Sequence, residues 1–86
     1  MLQLINGKIK LTSLARSLKV SSTAMRFNLV NGSGLGKNAE KLGMHETADW
    51  ILDKESVMTY LRWLRGKKKR IKQEDIERVE EECRNL

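Results

Sequence analysis

Apolar and polar residues follow one rhythm up to residue 11 and another beyond it. Leu2, Leu4, Ile9 and Leu11 flank the dipeptide Asn6-Gly7. A two-residue Asn-Gly connection suits a type I′ turn, which needs positive φ at both positions. It predicts a hairpin pairing Ile5 with Lys8, Leu4 with Ile9, Gln3 with Lys10 and Leu2 with Leu11. That register gathers the apolar pairs on one face and the lysines on the other. The rival reading keeps only residues 8–11 as a strand.

From Leu11 the period lengthens. Leu11, Leu14, Ala15 and Leu18 form the i, i+3, i+4, i+7 stripe of a helix, with Thr12 as its expected N-cap. After Lys19-Val20 a second helix is expected from Ser21 or Ser22 through Val30, stopped by Asn31-Gly32. Residues 31–49 hold Gly32, Gly34, Gly36 and Gly43 and show little periodicity. They read as a long surface loop, or as two short strands with a flexible tip. Ala48 to Leu52 reads as a short strand. Asp53 then caps a helix over residues 54–65, with the stripe Val57, Tyr60, Leu61 and Leu64 and with Gly66 as its stop. Trp50 and Tyr60 are expected in the core, and Trp63 at an edge or a partner surface. A last helix over 73–86 spaces Ile76, Val79, Cys83 and Leu86 by 3, 4 and 3.

Two short helices joined by a tight turn make a helix-turn-helix pattern. The second helix of such a pair fits the DNA major groove, about 12 Å wide, with its first residues at the base edges. The polar candidates there are Ser21, Ser22, Thr23, Arg26 and Asn28. Arg bonds two acceptors on guanine or clamps a phosphate, whereas Ser and Thr mostly contact the backbone. The competing reading is an ordinary bundle in which Ser21 and Ser22 serve only as caps.

The stretch Val20-Ser21-Ser22-Thr23-Ala24-Met25-Arg26-Phe27, followed by Asn31-Gly32, resembles the winged helix-turn-helix domain of MerR-type regulators and the related excisionase-like proteins. Trp50-Ile51-Leu52-Asp53-Lys54-Glu55-Ser56-Val57, with Tyr60-Leu61 behind it, is similar to the strand and helix that follow the wing in that family. The resemblance spans roughly residues 8–65. It implies a mainly α fold with a small β-wing, plus the C-terminal helix. It also implies that residues 22–30 read DNA, that Arg26 and Phe27 meet the backbone or groove, and that residues 33–49 form a wing on the phosphates. Lys19 stands where such turns commonly place Gly, at a cost on the order of 1 kcal/mol if the position is left-handed.

Charge supports an anionic partner. The 86 residues carry 17 Lys+Arg and 11 Asp+Glu, a net of +6. The split is uneven, with a surplus of ten positive charges over residues 1–72 and a deficit of four over residues 73–86. Lys37 and Lys41 in the glycine-rich segment, and Lys67, Lys68, Lys69 and Arg70 beyond Gly66, are candidate phosphate contacts. The glycine run is not a nucleotide loop, because Asn31 and Asn38 occupy positions where a Walker A motif needs Gly and Ser or Thr. One His and one Cys supply no structural metal site, and no catalytic pairing is evident. Neither a cofactor nor a small-molecule effector is expected, and enzymatic activity is not. No apolar run spans a bilayer, and the lysine run lacks an apolar face for a membrane surface.

Residues 1–66 therefore read as a winged helix-turn-helix DNA-binding domain, 67–72 as a basic hinge and 73–86 as an amphipathic acidic helix. Ile76, Val79, Cys83 and Leu86 are the expected homodimer interface, although the stripe could instead pack on its own domain. The expected function is sequence-specific binding of double-stranded DNA by a cytoplasmic, nucleoid-associated transcriptional regulator. The alternatives are an excisionase-like or architectural DNA-bending protein and a protein-interaction module without DNA.

Overall fold

The first turn forms where the sequence places it: Asn6 and Gly7 both have positive φ, at 53° and 78°. They join β1 (Leu4–Ile5) to β2 (Lys8–Lys10) in a hairpin pairing Leu4 with Ile9 and Ile5 with Lys8. The computed structural model describes residues 1–45, 48–67 and 71–86. Beyond the hairpin come α1 (Leu11–Ser17), α2 (Ser22–Phe27), β3 (Glu40–Lys41), β4 (Trp50–Leu52), α3 (Lys54–Arg65) and α4 (Gln73–Arg84). Among the described residues these make a small mixed α/β chain, four helices on an antiparallel four-stranded sheet ordered β1-β2-β4-β3.

The strand content exceeds a small wing. β4 pairs with β3 on one side and with β2 on the other, so the β3–β4 hairpin is rooted in the sheet. The physical reason is burial: Ile9 faces Leu52 across the β2–β4 pair, and both side chains lie in the core.

Helix α1 buries Leu11, Leu14 and Ala15, and Leu18 just past its end is buried with them. Its N-cap is Lys10, not Thr12, and no side chain caps it. The Thr12 hydroxyl is drawn away to donate to Asp49 Oδ2 at 2.9 Å. Ser13 Oγ instead donates to the Lys10 carbonyl and accepts from the Gln3 amide, locking helix to hairpin. The turn that follows puts Lys19 at φ +60°, in the left-handed region.

Ser21 caps α2 by accepting from the Ala24 amide at 3.1 Å. The helix then stops at Phe27, three residues earlier than the apolar pattern suggests. Asn28 Nδ2 donates to the Ala24 carbonyl (3.2 Å) and to Tyr60 Oη (3.1 Å), and Ser33 Oγ donates to the Asn28 carbonyl (2.9 Å). These bonds divert the groups that another helical turn would use. Residues 28–30 continue as tighter i→i−3 turns.

Asp53 caps α3, accepting from the Ser56 amide at 2.8 Å, and the bonding by Ser56 holds its carboxyl below the ordinary value. Val57, Tyr60, Leu61 and Leu64 are all buried, as their spacing predicts. Gly66 closes the helix, but at φ −86°, so its freedom to go left-handed is unused.

Helix α4 folds back on α3 and α1 instead of projecting from the domain. Ile76, Val79 and Cys83 are 2%, 0% and 0% exposed within the single chain and belong to the same core as Leu14, Leu61 and Leu64. Of the expected dimer stripe only Leu86 remains open. Three of the four side chains are thus buried within the single chain. The partner is α3, whose buried stripe of Val57, Tyr60, Leu61 and Leu64 packs in one core with that of α4. Glu80 bonds Arg65 Nε at the end of α3, and Glu82 accepts from the Leu2 amide. Residues 73–86 are therefore packed into the domain they follow.

Candidate nucleic-acid interface

Helix α2 is anchored by one side chain, the fully buried Met25. Everything else on it faces outward or lies at the boundary. Ser21, Thr23, Ala24 and Phe27 are exposed, and Ser22 and Arg26 are half-buried. Phe27 is 71% exposed and Val30, just beyond the helix, 83%. Arg26 Nη2 donates to Thr23 Oγ1 at 3.3 Å, which orients the guanidinium along the helix surface.

The loop folds back at Gly36 onto the turn that follows α2. A Cβ at this position would lie 2.0 Å from the Leu29 carbonyl oxygen, so only glycine fits. That approach, with the β3–β4 hairpin alongside, forms an open cleft of about 330 Å³ lined by Arg26, Leu29, Val30, Gly36, Lys41 and Trp50. Both ionisable residues in the lining are cations. Trp50 is half-buried here and not enclosed in the core, as its apolar character suggested.

Charges around the cleft divide into spent and unspent. Lys8 pairs with Glu40 at 3.0 Å, Lys10 with Asp49 at 3.8 Å and Lys19 with Asp75 at 3.7 Å. Among the described residues Arg26, Lys37 and Lys41 enter no salt bridge. Lys37 is held by its backbone, whose carbonyl accepts from Ser56 Oγ at 2.6 Å, and its side chain is exposed.

The structure therefore brings Arg26 and Lys41 to one cleft, with Thr23 bonded to Arg26. Ser21 acts as the cap. Asn28 is occupied internally: besides its bonds to Ala24 and Tyr60, its Oδ1 accepts from Asn31 Nδ2 at 2.6 Å. Burial pushes the Tyr60 hydroxyl up to about 12, so it stays protonated as a partner for Asn28. Lys67 is not in the cleft lining: its ammonium lies 5.3 Å from the centroid of the Trp63 ring, which itself stacks on Tyr60. Lys68, Lys69 and Arg70 lie outside the described residues.

Sequence reasoning missed Leu29, Val30, Gly36 and Trp50 as parts of this surface. Val30 and Leu29 look like the end of a helical stripe until the helix stops short. Burial raises the pKa of the Cys83 thiol, consistent with a small apolar side chain in the core. No helix among the described residues is long and apolar enough to cross a membrane. No family model, curated protein or solved structure matches the chain.

Proposed function

We propose that this chain is a winged helix-turn-helix protein that binds double-stranded DNA with sequence preference and regulates transcription in the cytoplasm, at the nucleoid. The observation that supports it best is the cleft in which α2 and the β3–β4 hairpin converge, whose two cations enter no salt bridge among the described residues. In this reading α2 enters the major groove with Thr23 and Arg26 toward base edges. Lys41 and Lys37 meet phosphates from the hairpin side, and Phe27 packs on sugar or on a thymine methyl. Each phosphate neutralised releases counterions, so affinity falls steeply with salt.

The test is selection of bound sequences from a random duplex pool at physiological salt. Enrichment of one motif, lost on Arg26→Ala, is the expected result. A pool that stays random overturns the sequence-specific reading. One observation favours a second reading, an excisionase-like architectural protein. With the α4 stripe buried, two copies have no apolar seam there, and subunits would line up on DNA through the DNA itself. Bending and cooperative multi-site binding in a circular-permutation gel assay would select that reading.

A further inference from the structure

Asp75 is almost fully buried, and its carboxylate is not used by the proposed interface. Its Oδ1 is 2.7 Å from Arg78 Nη1 and 3.7 Å from Lys19 Nζ. The other end of the Arg78 guanidinium, Nη2, donates to the Ser17 carbonyl at 2.6 Å. Ser17 is the last residue of α1, and its carbonyl is one of those a helix end leaves without an intrahelical donor. Two residues on, Lys19 takes the left-handed backbone that a side chain normally avoids. Two residues after that, Ser21 caps α2. Two side chains one turn apart on α4 thus contact the end of α1 and the left-handed residue of the turn that leads into α2.

We infer that Asp75 and Arg78 are positioning residues for α2: they hold Lys19 in its left-handed conformation and so fix the orientation of the DNA-reading helix. The acidic helix then serves the basic face directly, by aiming it. The guanidinium suits the task because its planar fork reaches a carboxylate and a carbonyl together. The consequence for DNA rests on the function proposed above; the grip on the turn does not.

The test is a mutant cycle on the full chain, with Arg78→Ala made in the parent and in a background carrying Lys19→Gly and Asp75→Asn, read by amide hydrogen exchange and by affinity for a duplex recovered from the selection. Val20, whose amide bonds the Ala15 carbonyl at 3.0 Å across the turn, reports on the turn without DNA. The Leu61 amide, in the middle of α3, is the internal reference. Arg78→Ala is expected to speed exchange at Val20 and to weaken DNA binding, each about tenfold, with Leu61 unchanged. Glycine adopts positive φ without steric cost, so in a Lys19→Gly background that also carries Asp75→Asn, which removes the buried charge both cations serve, both effects should shrink to about twofold. Arg78→Lys keeps the charge but cannot span both partners, and should fall between parent and Arg78→Ala. Equal effects in both backgrounds, or equal acceleration at Leu61, overturn the inference. If exchange responds as expected while the parent chain retains no duplex, the positioning role stands and the DNA reading falls.

Discussion

Helices α2 and α4 handle polar side chains in opposite ways. On α4 the polar groups are turned inward where they meet partners: Asp75 holds Lys19 and Arg78, Glu80 holds Arg65, and Glu82 holds the Leu2 amide. Its apolar stripe is fully covered by α3 and the rest of the core. On α2 only Met25 is buried, Phe27 is left in solvent, and Arg26 has a threonine for a partner and, among the described residues, no carboxylate. Net charge alone does not separate the two, since α4 is the more highly charged helix. What separates them is the treatment of groups at the core: Asp75 and Glu80 on α4 are buried and paired within the chain, whereas α2 buries no charged group. Helix α4 is tied into the chain by buried, paired acids, whereas α2 is held by Met25 and keeps Phe27 at the surface.

That contrast breaks most readily through the core. Ile76→Ala, within the covered stripe, should cost about 2–5 kcal/mol in urea denaturation, whereas Val30→Ala on the open side should stay within about 0.5 kcal/mol. Comparable losses at the two positions would mean that the α2 end is also covered. Gly36→Ala is expected to cost about 1–3 kcal/mol, because the added carbon meets a backbone carbonyl that cannot swing aside. It should also weaken DNA binding by opening the cleft, measured by fluorescence anisotropy. Arg26→Ala sharpens the comparison from the other side. Affinity should drop by about 1–3 kcal/mol, tenfold or more, while the denaturation midpoint barely moves.

The smallest effect concerns the join between the two regions. Tyr60→Phe removes the acceptor for Asn28 and should cost about 0.5–1.5 kcal/mol. It has a pH signature as well. The buried hydroxyl keeps its proton to about pH 12, whereas an unfolded tyrosine loses it near 10.0. The folded state therefore binds more protons in between, and stability falls as pH rises from about 10 toward 12. Phe at this position abolishes that part of the loss; an unchanged alkaline limb in Tyr60→Phe would assign it to other groups.

Local chemistry made much of the fold legible. The Asn6-Gly7 hairpin has the register expected on paper, and the Ser21 and Asp53 caps and the bounds of α3 agree with the pattern. Each depends on groups within a few residues of one another. Several departures involve groups farther away. Thr12 leaves its capping role for Asp49, 37 residues on, and Asn28 and Ser33, which take the carbonyls where α2 ends, belong to a turn that Asn28 also ties to Tyr60, 32 residues on. A 3-4-3 stripe declares that Ile76, Val79 and Cys83 need an apolar partner, but not that α3 supplies it. For the candidate interface, Arg26 and Lys41 were legible as basic residues, one expected on the second helix and one in the glycine-rich segment. The cleft that unites them was not, because it depends on Gly36 approaching Leu29, which no periodicity encodes.

The strand order has a kinetic consequence. β2 and β4 are neighbours in the sheet, yet α1, α2, the long loop and β3 all lie between them in the chain. Joining Ile9 to Leu52 closes a loop of about 40 residues, and that entropy is lost before the contacts that repay it exist. Helices α3 and α4, adjacent in sequence, face no such delay. Helix α2 packs chiefly on α1, its neighbour in the chain, so both helix pairs can form locally while the central strand pair waits for the long loop to close.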